Sequence, residues 1–314
     1  MKAAITGTFN KIPRKLSSHG YGWARTWSEN LDLPINHQGD VVDELYLDHG
    51  VNFGGSLNLF GGFTDDLKQR IDNMMQASKL VSLDIPMPDY GEMLKKRKDV
   101  VDKDWCDAVS AKLSTATTLI SSDLPFEHLS VGDSHTAAYS PHNSSVIKQD
   151  GTTLFGQIKS DFEYIKSHIK PHHKSLTISL GNIDVRHHIC RIDADWRKMY
   201  DELFAFGDSL GLEIEYSVPW PIEFEGRRLP KTGYYKDQPF WGTLEQRKHL
   251  VNDIRQYMKA RVNVVECPQE WYDMDPERYA KEKMEGTSSV HLNPSCYRRM
   301  DWNIQENTLE TFFS

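Results

Sequence analysis

The sequence predicts an α/β protein built on mainly parallel sheets, and three observations carry that expectation. Short apolar runs alternate with helix-like stretches along the chain. Several of these runs end in polar, chemistry-bearing residues, as the strand ends of an open parallel sheet do. No internal repeat or low-complexity tract interrupts the alternation.

The elements follow in order. Ala3 to Phe9 reads as a first strand, Trp23 to Leu31 as a helix, and Glu44 to Gly50 as a second strand. Thr64 to Lys79 is a strong helix, with Thr64 as N-cap and acidic residues in the first turn. Leu80 to Ile85 is a third strand, stopped by Pro86 and Pro88, and Tyr90 to Ile120 is mostly helical, in two pieces. Pro125 marks a change, after which a second series begins. Its strand-like runs are His128 to Asp133, Ser175 to Gly181, Leu212 to Val218 and Val262 to Cys267. Helices fit at residues 158–169, 193–210 and 243–260. The expected organisation is a smaller three-strand α/β unit over residues 1–125 and a larger α/β domain over residues 126–314.

Composition narrows the function classes. The chain has 314 residues, 39% hydrophobic and 26% charged, which is ordinary for a globular protein. A formal net charge of -8 disfavours non-specific binding to nucleic acid, although a local basic groove stays open. Cys106, Cys190, Cys267 and Cys296 form no CxxC pair, so they read as reduced thiols of a cytoplasmic protein with no zinc ribbon. The N-terminus lacks the apolar core of a signal peptide, and no run reaches the roughly 18 apolar residues of a membrane span. No membrane partner is expected.

The second half carries the clearest chemistry. Asp133, Ser134 and His135 follow its first strand. Asn182, Asp184, Arg186, His187 and His188 follow its second, and His291 with Asn293 lies near the C-terminus. A serine hydroxyl becomes a nucleophile when a base and oxyanion donors accompany it, and these three loops supply both kinds of group. Gly-Asp-Ser is also a common turn, and a second copy, Gly207-Asp208-Ser209, falls where a helix end is expected.

Residues 126 to 300 resemble the SGNH hydrolases, the GDSL-like lipases and esterases. Gly132-Asp133-Ser134 matches the block that carries the nucleophile, and His291-Leu292-Asn293 matches the block that carries the base. Gly181-Asn182-Ile183-Asp184 resembles the Gly-x-Asn-Asp block, and Gly151 stands where a second-block glycine faces the oxyanion. The resemblance implies a three-layer α/β/α domain with a five-stranded parallel sheet. It also implies Ser134 as nucleophile, His291 as base, and an oxyanion site made by Ser134, Gly151 and Asn182, with no cofactor and no metal. Two positions depart from the family. Ser288 stands where an aspartate is usual, and Ile183 where the oxyanion asparagine is usual, with Asn182 beside it. The site would then run as a Ser134–His291 dyad, recruit a carboxylate such as Asp184, or bind without turnover. A similar strand-Gly-x-Ile-Asp-x-Arg pattern occurs in SGNH-like proteins that accompany polysaccharide synthesis, pointing to a carbohydrate-linked acyl group.

His135, Arg186 and His187 are expected at the substrate. Arg186 suits a carboxylate or phosphate, and a structural ion pair equally. The adjacent His187 and His188 do not share a helix face as metal ligands would. Residues 216–241 form a long aromatic, Pro-rich stretch in which Trp220, Tyr234, Tyr235 and Trp241 suit stacking on a sugar or a base.

The first half offers a competing chemistry. Its second strand runs into a loop with Asn52, Gly54, Gly55, Asn58, Gly61 and Gly62, which is neither GxGxxG nor a Walker loop. Asn52 to Leu59, together with Leu83-Asp84-Ile85-Pro86, resembles the N-terminal domain of phage DNA β-glucosyltransferases. That resemblance implies Asp84 as a general base acting on a hydroxymethylated pyrimidine, a nucleotide-sugar donor, and residence in a phage-infected host cytoplasm. The plain alternative for Asp84 is a capping residue before a proline turn.

Three readings result. The first is an SGNH-like esterase or O-acyltransferase acting on a carbohydrate or a modified nucleic-acid base. The second is a GT-B-type glycosyltransferase using Asp84, and the third is a binding protein on an SGNH-like domain.

Overall fold

The computed structural model describes residues 3–7, 18–36, 40–48, 65–87, 89–100, 102–221, 237, 240–284 and 290–300. The chain divides into two units. One comprises Met1–Leu129, Asn143–Asp150 and His168–His173; the other comprises Ser130–His142, Gly151–Ser167 and Lys174–Ser314.

The first unit is built on a four-stranded sheet in the order β1-β2-β3-β4, where β1 is Ala3–Gly7, β2 Glu44–Asp48, β3 Lys79–Leu83 and β4 Thr117–Leu119. All three strand pairs are parallel. The helices are α1 (Ser18–Leu31), α2 (Asp65–Met75), α3 (Tyr90–Lys95) and α4 (Lys103–Leu113). Asp89 and Asp102 cap α3 and α4 by accepting from the N–H groups of Glu92 and Trp105. A core of Leu45, Leu47 and Leu80 from the strands and Ile71, Leu94, Val109 and Leu113 from the helices is buried to within a few per cent. Full burial of such side chains stabilises by about 1.5–3 kcal/mol each.

A second, five-stranded sheet has the order β6-β5-β7-β8-β9, with β5 His128–Gly132, β6 Ser144–Lys148, β7 Ser175–Ser179, β8 Glu213–Ser217 and β9 Val264–Val265. The remaining helices are α5 (Thr136–Tyr139), α6 (Leu154–Lys159), α7 (Glu163–His168), α8 (Asn182–His187), α9 (Ile189–Ile192), α10 (Trp196–Ser209), α11 (Leu244–Lys259), α12 (Gln269–Tyr272) and α13 (Pro276–Glu282). The last four residues of β5 and of β7 are buried without alternation, as in a parallel strand covered on both faces. Thr243 and Gln246 close a capping box at the start of α11.

Three expectations are corrected, and one strand is added to those expected. The first sheet has four strands where three were expected, because Thr117–Leu119 leaves the helical run and pairs with β3. Ser144–Lys148 is a strand although it opens with two serines, both fully buried. The helix expected over residues 158–169 breaks into α6 and α7, since Asp161 and Phe162 adopt φ of 50° and 55°. The third strand stops at Leu83, and Asp84 turns into the left-handed region with φ 65°. Gly207-Asp208-Ser209 does lie at a helix end, in α10. Among the described residues no helix is long and apolar enough to cross a membrane.

Candidate active site

In the five-stranded sheet the chain order reverses at β5: β6 lies on one side and β7 on the other. Such a reversal opens a crevice at the carboxyl ends of the two central strands, where α/β proteins bind ligands. Ser134 follows β5 and Asn182 follows β7.

Glycine makes the approach of these two strand ends possible. A Cβ on Gly132 would lie 1.9 Å from the Ser179 carbonyl oxygen. Without it, the Asp133 N–H donates to that oxygen at 2.9 Å. The Asp133 carboxylate then folds over the next turn and accepts the His135 N–H at 2.8 Å, while the Thr136 hydroxyl donates to the Asp133 carbonyl at 2.7 Å. The chain enters α5, and Ser134 is left half-buried at the tip of the turn.

His291 arrives from 157 residues downstream and places Nε2 3.0 Å from Ser134 Oγ. That is hydrogen-bond reach for a base and its nucleophile. The segment carrying it is fixed on both sides. Leu292 forms an antiparallel bridge with Met284, and the Asn293 N–H donates to the Lys283 carbonyl at 2.8 Å. Beyond it, Arg298 grips Glu215 of β8 through two parallel bonds of 2.6 and 3.1 Å, and Arg299 Nε donates to Ser140 Oγ at 3.0 Å.

Asn182 is the first residue of α8, entered through Gly181 at φ 103°. Its Oδ1 accepts the Trp220 N–H at 3.2 Å, which fixes the orientation of the amide. Its Nδ2 is buried and makes no hydrogen bond among the described residues. The structure thus holds a desolvated amide donor beyond the end of β7. A buried donor left unpaired costs about 1–3 kcal/mol, so such groups often have a functional reason.

Asp184 has a different task. It is fully buried, and its two oxygens accept the N–H groups of Leu154 and Phe155 at 2.7 and 3.1 Å. Both bonds go to the first turn of α6, so the carboxylate fixes the end of the segment that leads from Gly151. Burial raises its pKa to about 6, against the lowering effect of those two bonds. Gly151 itself has φ 76°, with open space where a Cβ would stand, so backbone conformation alone selects glycine there.

The residues expected at the substrate are placed as follows. His135 is 2% exposed, with Nδ1 2.9 Å from Asp133 Oδ1 and Nε2 3.0 Å from the Val290 carbonyl. Arg186 is buried and donates to the Asn182 carbonyl at 3.0 Å. His187 and His188 are buried too, and His187 meets Phe240 edge-on. Trp220 is corrected from a stacking surface to a core residue: it is 1% exposed, edge-on to His135 and stacked on Tyr139. Trp241 remains exposed. Asn52, Gly54, Gly55, Tyr234, Tyr235 and Ser288 lie outside the described residues.

Asp84, at the end of β3, accepts from Trp27 Nε1 at 3.1 Å through one oxygen and from the Ser121 N–H at 2.9 Å through the other. Both bonds are internal to the first unit. The four free cysteines and the other described residues contain no cluster of His, Cys, Asp or Glu able to hold a metal.

The anchors of the His291 segment are absent from the sequence-based expectations. Glu213 and Glu215 alternate with Ile214 and Tyr216 in β8, and Arg298-Arg299 follows closely after His291. Those two signals, taken together, point to the clamp that the structure forms. In comparisons with known proteins, no family model, no curated protein and no solved structure matches the chain.

Proposed function

We propose that the protein is a serine esterase or O-acyltransferase. The observation that carries the reading is the 3.0 Å contact between Ser134 Oγ and His291 Nε2 at the reversal point of the five-stranded sheet. Ser134 attacks an acyl carbonyl while His291 Nε2 takes the hydroxyl proton. The Ser134 and Gly151 N–H groups with Asn182 Nδ2 stabilise the oxyanion, and the leaving alcohol receives its proton from His291. Water, or an acceptor hydroxyl, then attacks the acyl-serine with His291 again as base. The unpaired buried donor on Asn182 supports this assignment, because a donor held ready for charge that develops only during reaction has no partner beforehand.

The SGNH resemblance directs the substrate to an ester of a carbohydrate or of a modified nucleic-acid base. A fluorophosphonate probe tests the reading, since it reacts with activated serines. Labelling at Ser134 that disappears in Ser134→Ala is the expected result. Lack of labelling combined with glycan or DNA binding would replace it with the binding-protein reading. Lack of labelling with UDP-sugar protection against thermal unfolding would replace it with the glycosyltransferase reading.

A further inference from the structure

His135 joins the two halves of the dyad. It directly follows Ser134, and its Nε2 reaches the carbonyl of Val290, the residue before His291. Its Nδ1 faces an oxygen of the Asp133 carboxylate. A carboxylate and a carbonyl are both acceptors, so each nitrogen of the ring is held against one acceptor. Asp133 is fully buried, and its other oxygen makes no hydrogen bond among the described residues. The His135 ring, 2.9 Å away, is the side chain that faces this carboxylate in the core. The ring cannot swing freely. The edge of Trp220 lies 4.4 Å away between centroids, and the His291 ring lies 5.0 Å away at a 38° tilt.

We infer that Asp133 and His135 are the positioning pair of the Ser134–His291 dyad, holding His291 through the Val290 carbonyl, where position 288 supplies no carboxylate. The inference rests on the esterase reading. The pair acts on the backbone that carries the base. A carboxylate three residues upstream would instead act on the imidazole itself. Among the described residues, Asp133 and His291 are the titratable groups that meet the His135 ring, and Asp184, Tyr139 and Tyr200 interact with Asp133 in turn.

Three variants of the full chain test it, read by the rate of fluorophosphonate labelling from pH 5 to 9. His135→Phe keeps the ring packing and removes both hydrogen bonds, and the double variant Asp133→Asn/His135→Phe does so without a stranded carboxylate. Asp133→Asn alone keeps an amide able to orient a neutral His135 with its Nε2–H on Val290. The expected result is a loss of about 100-fold in both His135 variants, as for an ångström-scale misplacement of a catalytic group. Their profiles no longer follow a histidine titration, whereas Asp133→Asn stays within about tenfold of the parent rate and keeps the profile. A merely structural role would lower the amplitude and leave the shape of the profile intact.

Labelling of the folded double variant within twofold of the parent, with an unchanged profile, would overturn the inference and leave the esterase reading standing. An unlabelled parent protein would overturn both.

Discussion

Asp84 follows β3 and Asp133 follows β5, so each carboxylate stands just beyond the carboxyl end of a parallel strand. Their surroundings differ in kind. The first sheet runs β1-β2-β3-β4 without reversal, and Asp84 commits both oxygens to Trp27 and Ser121. The second sheet reverses at β5, and the turn at Asp133 presents Ser134 beside a histidine from a distant segment. A strand end thus becomes a candidate site through what converges on it. Asp84 adopts an unusual left-handed backbone, and its bonds to Trp27 and Ser121 tie the end of β3 to its own unit.

The sharpest way to break this contrast is to exchange the importance of the two positions. Ser134→Ala should abolish labelling and lower ester turnover by about 10⁴-fold or more, with an unfolding temperature close to the parent's. Unchanged turnover in that variant would move the chemistry elsewhere. Asn182→Asp keeps the acceptor for the Trp220 N–H and removes the amide donor. Turnover of a small chromogenic ester should fall by about 10²–10³-fold in kcat. An effect confined to KM would assign Asn182 to ground-state binding.

Asp184 sharpens the comparison through stability. Its folded pKa of about 6 lies above the unfolded value of 3.8. Below about pH 4 both states carry the proton. Between pH 4 and 6 the folded state keeps a proton that the unfolded state has lost, so this contribution to stability falls as pH rises. Above pH 6 both states are charged, and the cost of burying the charge is complete. The difference amounts to about 3 kcal/mol. Urea unfolding at pH 4, 5, 6 and 7 should show that slope in the parent and not in Asp184→Asn. Equal slopes would place the titration on another group.

The smallest effect is expected at Asp84. Asn tolerates the left-handed backbone and still accepts one of the two hydrogen bonds, so Asp84→Asn should cost about 1 kcal/mol and leave Ser134 labelling unchanged. A large loss of activity on a hydroxymethylated base in this variant would reverse the ranking of the two strand ends.

Much of this architecture can be read in the residues, and the gaps have physical causes. β5 and β7 are apolar runs closed by Gly132 and Gly181, so their ends and the polar residues after them are visible in one dimension. Ser134 and Asn182 come directly after those ends, whereas His291 is singled out only by the resemblance to the SGNH hydrolases. β6 is hidden because its two serines, fully buried in the fold, look like loop residues in one dimension. β4 is hidden because three residues at the end of a helical run carry no period of their own. The break between α6 and α7 falls on Asp161 and Phe162, with neither glycine nor proline to mark it. The task of His135 depends on Val290, 155 residues away, and no local pattern encodes that partnership.

The clamp between Arg298 and Glu215 also bears on the order of synthesis. Ser134 and its turn are made early, from neighbours close in sequence, whereas His291 and the arginine that secures its segment leave the ribosome much later. A chain made only as far as β9 therefore carries Ser134 without His291 beside it. The Ser134–His291 contact is therefore a late one, formed only once residues 291–298 have joined the sheet that carries Glu215.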